Sequence, residues 1–194
     1  MNIAVYSGSF NPLHIGHLAI IRHLIEVAGF DMVYLIVSPK NPLKDGISSD
    51  TGLDRYNAAL EAVKRHFPDG SNDVPVTKKV LVDDIELNMP EPHYTIRTLR
   101  ALQEREPENR FTIVMGADNL ADIRRWREYD NILKEFGAAV FPRKGTDLDK
   151  VKVDLLNEDH EYKITLLNAE MVDISSTIIR EASASGQDIS SWLM

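Results

Sequence analysis

The chain of 194 residues contains no cysteine, which excludes disulfides, thiolate catalysis and cysteine-based zinc sites. No apolar run approaches the roughly 20 residues that a transmembrane helix needs. The opening MNIAVYSGSF lacks the basic segment and apolar stretch of a signal peptide. Basic residues are fewer than acidic ones, 22 against 30, which gives a net charge of −8. A chain with this charge has no general attraction for nucleic acid or an anionic membrane. These absences predict a cytoplasmic protein with no nucleic-acid or membrane partner.

Alternation of apolar runs and amphipathic stretches is the main pattern that the sequence does contain. Hydrophobic residues make up 43% of the chain, and its length predicts a single domain over residues 1–194. Alternating strands and helices predict an α/β fold with an open, doubly wound parallel sheet. The predicted strands are 3–8, 32–37, 80–82, 111–116 and 138–143, and the predicted helices are 15–28 (with Gly29 as C-cap), 53–66 and 94–105.

Three informative stretches follow predicted strands directly. They are SGSFNPLHIGH after the first strand, SPKNPLK after the second, and GADN after FTIVM. In open parallel sheets, ligands bind at the carboxyl ends of the strands, where the strand order reverses. We therefore expect these stretches to meet at one site.

The first of them, GSFNPLHIGH at residues 8–17, has the residue types of an anion-binding turn. We expect Gly8 to adopt positive φ, Pro12 to stiffen the turn and Gly16 to let backbone approach a ligand. His14 and His17 share one face at a helix N-terminus, where a phosphate is favoured. The alternative is a turn whose histidines only cap or pack. A zinc pair would need further ligands that no other histidine spacing supplies, and the dinucleotide motif G-x-G-x-x-G is absent.

A second motif, ISSTIIR at residues 174–180, also predicts a helix N-terminus. Ser175 and Thr177 have the character of N-cap and first-turn residues. We expect Arg180 in that same first turn, where the helix dipole disfavours a cation unless an anion is bound. The alternative is an ordinary capped helix with a solvated arginine.

The two motifs resemble those of the nucleotidyltransferase superfamily of adenylyl- and cytidylyltransferases, G-x-F-x-P-x-H-x-G-H and S-S-T-x-x-R. Within it, the chain is most similar to bacterial nicotinate-nucleotide adenylyltransferases. EPHYTIRTLRAL resembles their S-Y-T-x-x-T-L segment, and FTIVMGADNLADIRRWREYDNIL resembles their strand followed by G-x-D and a tryptophan. The resemblance extends over most of the chain and implies a Rossmann-like nucleotidyltransferase fold.

This resemblance implies transfer of an adenylyl group from ATP to nicotinate mononucleotide, with Mg²⁺ accompanying ATP. Catalysis would fall to His14, His17 and Arg180, and no protein residue is assigned as a metal ligand. The resemblance leaves open whether copies of the chain form a homo-oligomer. ATP would contact Gly8, Ser9, Phe10, His14, Gly16, His17, Asp118, Ile174, Ser175, Thr177 and Arg180. The mononucleotide would contact Lys44, Tyr94, Thr95, Gly116, Asp118 and Trp126.

Several of these residues have alternative interpretations. Trp126, the candidate stacking surface for a pyridine ring, suits the core side of an amphipathic helix equally well. Thr95 would serve as a helix N-cap, and Lys44 as a solvated lysine. The loop also departs from the family, with Pro42-Leu43-Lys44 in place of Pro-His-Lys, and Asn11 stands where aspartate is common.

Three rival functions remain open at this point. Two are sister transferases acting on nicotinamide mononucleotide or on phosphopantetheine. The third is a non-catalytic nucleotide-binding module, although its site would be expected to have lost some of His14, His17 and Arg180.

Overall fold

The structure is a computed structural model that describes residues 1–39, 51–67, 79–169 and 174–194. Helices and strands alternate along most of these residues. The strands are β1 (Asn2–Gly8), β2 (Met32–Val37), β3 (Val80–Asp83), β4 (Arg110–Gly116), β5 (Ala138–Phe141) and β6 (Ile164–Leu166). The α-helices are α1 (Ile15–Glu26), α2 (Gly52–His66), α3 (Thr95–Arg105), α4 (Ala117–Ala121), α5 (Tyr129–Asn131), α6 (Leu148–Glu158) and α7 (Ser176–Ala184). Short 3₁₀ turns occupy Ile85–Leu87, Ile123–Arg125 and Ser190–Trp192, and α5 continues as a π-helix, Ile132–Phe136.

The strands of the described residues form one sheet in the order β3-β2-β1-β4-β5-β6. Every neighbouring pair is parallel. The chain adds strands outward from β1 in one direction and then returns to add β4 on the other side. The strand order therefore reverses between β1 and β4, which opens a crevice at their carboxyl ends. The prediction of an open, doubly wound parallel sheet is confirmed.

Helices cover both faces of the sheet, which explains the continuous apolar runs of the central strands. In β1, Ala4 and Tyr6 face the cluster packed by α1 and α2. Ile3 and Val5 face the opposite cluster, packed by α3 and α6. Because successive side chains of a strand point to opposite faces, a strand buried on both sides must be apolar at every position.

The structure corrects one helix boundary and adds several elements to the predicted ones. Helix α1 ends at Glu26 with Val27 as its C-cap, so the prediction of Gly29 as the cap is wrong. Gly29 instead turns the chain beyond the helix with φ of 75°. Helix α6, capped by Asp147, and the short strand β6 were not predicted. Among the described residues, none of the helices has the length and apolarity to cross a bilayer.

Candidate active site

A cavity of about 940 Å³ lies at the carboxyl ends of the central strands. It draws its lining from both motifs and from the segments after β3 and β4. Of the predicted site residues, only Lys44 is missing from this lining, because it lies outside the described residues. The others that line the cavity are Gly8, Ser9, Phe10, His14, Gly16, His17, Tyr94, Thr95, Gly116, Asp118, Trp126, Ile174, Ser175, Thr177 and Arg180.

The glycines of the first motif serve packing rather than unusual backbone angles. The expectation of positive φ at Gly8 is wrong, since it is Phe10 that adopts φ of 43°. A Cβ on Gly8 would lie 3.1 Å from the Phe10 ring, and one on Gly16 would lie 3.0 Å from the His14 ring. Both glycines therefore make room for the aromatic side chains that shape the cavity.

His14 and His17 form a fixed pair at the start of α1. His14 is the N-cap, and its Nδ1 accepts a hydrogen bond from the backbone N–H of Gly16 at 3.2 Å. Nδ1 of His17 accepts from the backbone N–H of His14 at 3.1 Å, and the ring centroids are 3.7 Å apart. Because each Nδ1 is used as an acceptor, each neutral ring carries its proton on Nε2. The two rings are therefore available as Nε2–H donors.

Both histidines are held in the neutral form. Burial, followed by the positive charge of Arg143, lowers the pKa of His14 from 6.5 to about 4. Burial lowers the pKa of His17 well below 6.5, and the charges of His14 and Arg143 act in the same direction. A helix N-terminus disfavours imidazolium for the same electrostatic reason. The pair therefore offers hydrogen-bond donors to an anion without a fixed positive charge.

The second motif begins α7 and also lines the cavity. Ser175 is the N-cap, and its Oγ accepts from the N–H of Ile178 at 3.3 Å. Arg180 lies in the second turn, so the expectation of a first-turn position is wrong. Its guanidinium reaches back toward the helix start, where Nη2 donates to Thr177 Oγ1 at 3.1 Å.

Two hydrogen bonds tie this helix to the loop after β1. Nη1 of Arg180 donates to the carbonyl oxygen of Asn11 at 2.7 Å. The Ser176 hydroxyl donates to the carbonyl oxygen of Pro12 at 3.1 Å. Motifs separated by about 160 residues of sequence thus form one wall of the cavity. The contact at Asn11 uses its backbone, which does not depend on the side chain being asparagine or aspartate.

The opposite wall carries the residues expected to bind the mononucleotide. Tyr94 is the N-cap of α3 and Thr95 the first helical residue, so the alternative of Thr95 as N-cap is wrong. Trp126 follows a 3₁₀ turn, lines the cavity and also packs against the core cluster of α3. It is half-buried, so packing and exposure to the cavity coexist in this one side chain.

Gly116 and Asp118 mark the junction of β4 and α4. Gly116 is the N-cap, and a Cβ there would collide with Asp118 Oδ1. The Arg143 Nε lies 4.0 Å from that oxygen, and the guanidinium lies 5.1 Å from the centroid of the Phe141 ring. Arg143 thus connects the carboxyl end of β5 to the start of α4 at the cavity.

Sequence reasoning did not identify four basic residues of the lining. With Arg180 they oppose only two carboxylates of the described lining, Glu86 and Asp118. A chain with net charge −8 therefore concentrates positive groups at this cavity. Two of them flank Trp126, one is the last residue of the predicted strand at 138–143, and one follows that strand, so none has a distinctive spacing. They are Arg125, Arg127, Arg143 and Lys144.

Comparison with known proteins gives a consistent result. Residues 5–182 match the cytidylyltransferase-like family model. The chain is 40% identical over 181 residues to a probable nicotinate-nucleotide adenylyltransferase of Flavobacterium psychrophilum, covering 93% of this chain and 86% of that protein. It is 35% identical over 192 residues to the Bacteroides fragilis protein of the same name, covering 97% and 85%.

The fold has a similar counterpart among solved structures. Nicotinic acid mononucleotide adenylyltransferase of Plasmodium falciparum, complexed with NaAD, superposes with a TM-score of 0.76 at 20% identity, covering 97% of this chain and 87% of that one. The two motifs, the fold and the sequence identity over most of the chain all indicate the same family. The chain belongs to the nicotinate-nucleotide adenylyltransferases, nucleotidyltransferase enzymes of the cytidylyltransferase-like family.

Proposed function

We propose that the chain transfers the adenylyl group of ATP to nicotinate mononucleotide, giving nicotinate adenine dinucleotide and pyrophosphate in NAD biosynthesis. The observation that carries this proposal is the meeting of two helix N-termini, those of α1 and α7, at one cavity. Each places polar side chains suited to phosphate at the positive end of a helix dipole. The names of the relatives support the same substrate pair.

The reaction is a direct displacement at the α-phosphorus. An oxygen of the mononucleotide 5′-phosphate forms a bond to this phosphorus, and the bond to the bridging oxygen of pyrophosphate breaks. His14 and His17 donate from Nε2 to oxygens of the reacting phosphates, with His17 assigned to the α-phosphoryl group. Donors already fixed in place stabilise charge that develops in the transition state without reorganising. Positioning of this kind is the usual protein contribution to phosphoryl-type transfer.

The second motif holds the leaving group. Ser175, Thr177 and Arg180 contact the β- and γ-phosphates, and Ile174 packs beside them. Arginine suits this position because its planar guanidinium forms paired hydrogen bonds with phosphate. Asp118 accepts from a ribose hydroxyl, while the loop of Gly8, Ser9 and Phe10 with Gly16 borders the nucleotide. The new residue on this side is Arg143, beside Asp118.

The mononucleotide occupies the opposite wall. Trp126 stacks on the pyridine ring, and backbone N–H groups near Thr95 and Trp126 contact the nicotinate carboxylate. Tyr94 and Gly116 complete the contacts proposed for this substrate. Lys44 keeps its proposed role toward an anionic group, on the strength of the family resemblance alone.

Mg²⁺ is proposed to enter with ATP. Within the described parts of the chain, no group of three or more histidine, aspartate or glutamate side chains is placed to hold a metal ion. This suits Mg²⁺, which keeps several waters and binds substrate phosphates rather than all-protein cages. The ion supplies charge neutralisation for the triphosphate and the departing pyrophosphate. We place the enzyme in the cytoplasm, acting on small molecules and not on nucleic acid.

Pyrophosphate release from Mg-ATP tests this function against a panel of acceptors. Nicotinate mononucleotide should exceed nicotinamide mononucleotide by about ten- to hundredfold in kcat/KM, since losing a charged hydrogen-bonding partner typically costs about 1.5–3 kcal/mol. Phosphopantetheine should give no release. A better rate with phosphopantetheine, or with CTP in place of ATP, would overturn the assignment, and equal rates for the two mononucleotides would indicate a dual-specificity enzyme.

A further inference from the structure

Glu86 is a buried carboxylate at the cavity that the proposed mechanism does not use. It lies in the 3₁₀ turn Ile85–Leu87, which follows β3 directly. Only 2% of its surface is exposed, yet it is part of the cavity lining. Acidic side chains are almost never this buried unless they are paired, so the partners of Glu86 need to be considered in turn.

Both carboxylate oxygens accept hydrogen bonds, and both donors are hydroxyl groups. Thr98 Oγ1 donates to Oε1 at 2.8 Å, and Ser38 Oγ donates to Oε2. On the far side of Ser38, Arg55 donates to the carbonyl oxygens of Ser9, Ser38 and Pro39. Each oxygen of Glu86 therefore has one hydrogen-bond donor, and both donors are neutral.

A neighbouring carboxylate shows the usual alternative. Asp83, at the end of β3, is also buried but pairs with Arg105 Nη2 at 2.5 Å. It does not line the cavity. No such ion pair joins Glu86 to a cation in the described ranges. Of these two buried carboxylates, the one that faces the cavity is the one without an ion pair to a described residue.

The hydrogen bonds place this charge beside the proposed acceptor site. Thr98 lies in α3, one turn after Tyr94, and is itself buried. Tyr94 and Thr95, at the start of the same helix, line the cavity with Glu86. A negative charge at this depth is only weakly screened by solvent, so it acts on whatever occupies that half of the cavity.

We propose that Glu86 is a specificity-determining residue that selects the positive charge of an N-ribosylated pyridine ring. The inference rests on the proposed function, whose acceptor carries this charge on its ring nitrogen. Burial of a carboxylate without a cation is unfavourable in the empty protein. Entry of a cationic ring supplies the missing opposite charge. Trp126 favours the same positive ring through a cation–π interaction with the face of its indole. Glu86 favours it through the Coulomb attraction of a carboxylate.

A charge-matched pair of ligands tests the inference by equilibrium binding. The probes are nicotinate mononucleotide and its C-riboside analogue, 3-carboxyphenyl riboside 5′-phosphate, which keeps the flat ring, carboxylate and phosphate but lacks the positive nitrogen. The wild type should bind the cationic ligand about tenfold more tightly or better, the scale of two opposite charges several ångströms apart at an effective dielectric constant of about 20.

Glu86→Gln removes the charge and keeps the side-chain shape. The ratio of the two dissociation constants should then fall at least severalfold toward the contribution of Trp126, with the affinity for the neutral analogue little changed. Glu86→Asp should retain most of the ratio. Asp83→Asn removes a buried carboxylate from the same sheet edge but not from the cavity, so it should leave the ratio unchanged. The wild type and Glu86→Gln, each measured with the cationic and the neutral ligand, form a double-mutant cycle. The cycle isolates the interaction between the Glu86 charge and the ring charge.

Three results would overturn the inference. They are an equal loss of both affinities in Glu86→Gln, no change in either affinity, and a wild-type ratio near one. The first would make Glu86 a structural residue that fixes Thr98 and Ser38. A wild-type ratio near one needs no variant and overturns the inference even if Glu86→Gln does not fold, and in that case Glu86→Asp against Asp83→Asn provides the comparison between variants. Because the readout is binding, absence of pyrophosphate release in the wild type would count against the proposed function separately.

Discussion

The two helix N-termini at the cavity present anion-binding groups in opposite ways. At α1, His14 is buried, and both histidines are neutral and held by backbone hydrogen bonds. At α7, Arg180 is exposed and charged, and among the described residues its hydrogen bonds go to Asn11 and Thr177. At α1, the two imidazole rings are neutral hydrogen-bond donors in fixed positions. At α7, the guanidinium carries a full positive charge and can change its position.

This difference suits two separate tasks. A group that stabilises the reacting phosphate must be in place before the reaction, because reorganisation would add to the barrier. A group that holds the leaving phosphates acts in ground and transition states alike, so binding strength matters more than exact placement. The comparison predicts that α1 variants lose turnover and α7 variants lose ATP affinity.

The largest effect is expected from His17→Ala. Removal of one fixed donor should lower kcat by roughly 10²- to 10³-fold with little change in the KM for ATP. Steady-state pyrophosphate release measures both constants. His23→Ala, on the same helix but away from the cavity, is the matched control and should retain activity. A kcat near the wild-type value in the His17 variant would contradict the role in turnover that we give to α1.

The next largest effect concerns pH and stability. His14 has a lowered pKa of about 4 in the folded chain against about 6.5 when unfolded. The unfolded state therefore binds more protons below pH 6.5, and stability is lost as pH falls from about 6.5 toward 4. Between pH 7 and 5, His14 alone should cost about 2 kcal/mol, with His17 adding in the same direction.

Denaturant unfolding at several pH values measures this loss. His14→Gln should make the curve shallower over the same interval, because glutamine does not titrate. If the free energy of unfolding of that variant depends on pH as in the wild type, then folding does not lower the pKa of His14. The activity profile should likewise show no inflection near pH 6.5 arising from these two histidines.

A smaller effect is expected from Arg180→Ala. The KM for ATP should rise by about tenfold and kcat should fall less, since a charged contact is lost in both states. Higher salt should reduce the difference in the KM for ATP between this variant and the wild type, because salt screens a charged contact that is exposed. Arg22→Ala, an exposed arginine on α1 outside the cavity, is the control. A dominant loss of kcat would assign α7 the role that we give to α1.

The smallest effect is expected from Ser175→Ala at the start of α7. Loss of the N-cap contact to Ile178 should reduce the free energy of unfolding by about 1 kcal/mol, measured by denaturant unfolding. Ser183→Ala, exposed within the same helix, should cost less because that residue is not the cap. A similar loss in both variants would mean that the Ser175 contact adds nothing.

Sequence reasoning located the central strands well because burial on both faces leaves continuous apolar runs. MVYLIV at 32–37 matches β2 at both ends. It missed β6, which is three residues long, and α6, whose apolar positions alternate with charged ones. Short edge elements depend on neighbours that a local pattern does not contain.

The candidate site was predictable where a motif combined several residue types. GSFNPLHIGH and ISSTIIR each predicted a helix start, and both helix starts are present at one cavity. Arg143 and Glu86 were missed because a single charged residue after a strand or turn has no distinctive spacing. Their contributions come from burial and neighbours, which a linear pattern does not show.

The sequence by itself determined the five longer strands, the starts of α1 and α7 and the choice of phosphate-binding residue types, since these follow from apolar periodicity and local capping. Only the tertiary structure decided the protonation state of His14 and His17, the hydrogen bond from Arg180 to the loop after β1, and the burial of Glu86 between two hydroxyl donors. The reason is that desolvation and pairing depend on which atoms surround a group. Those atoms come from elements that are far apart in the chain.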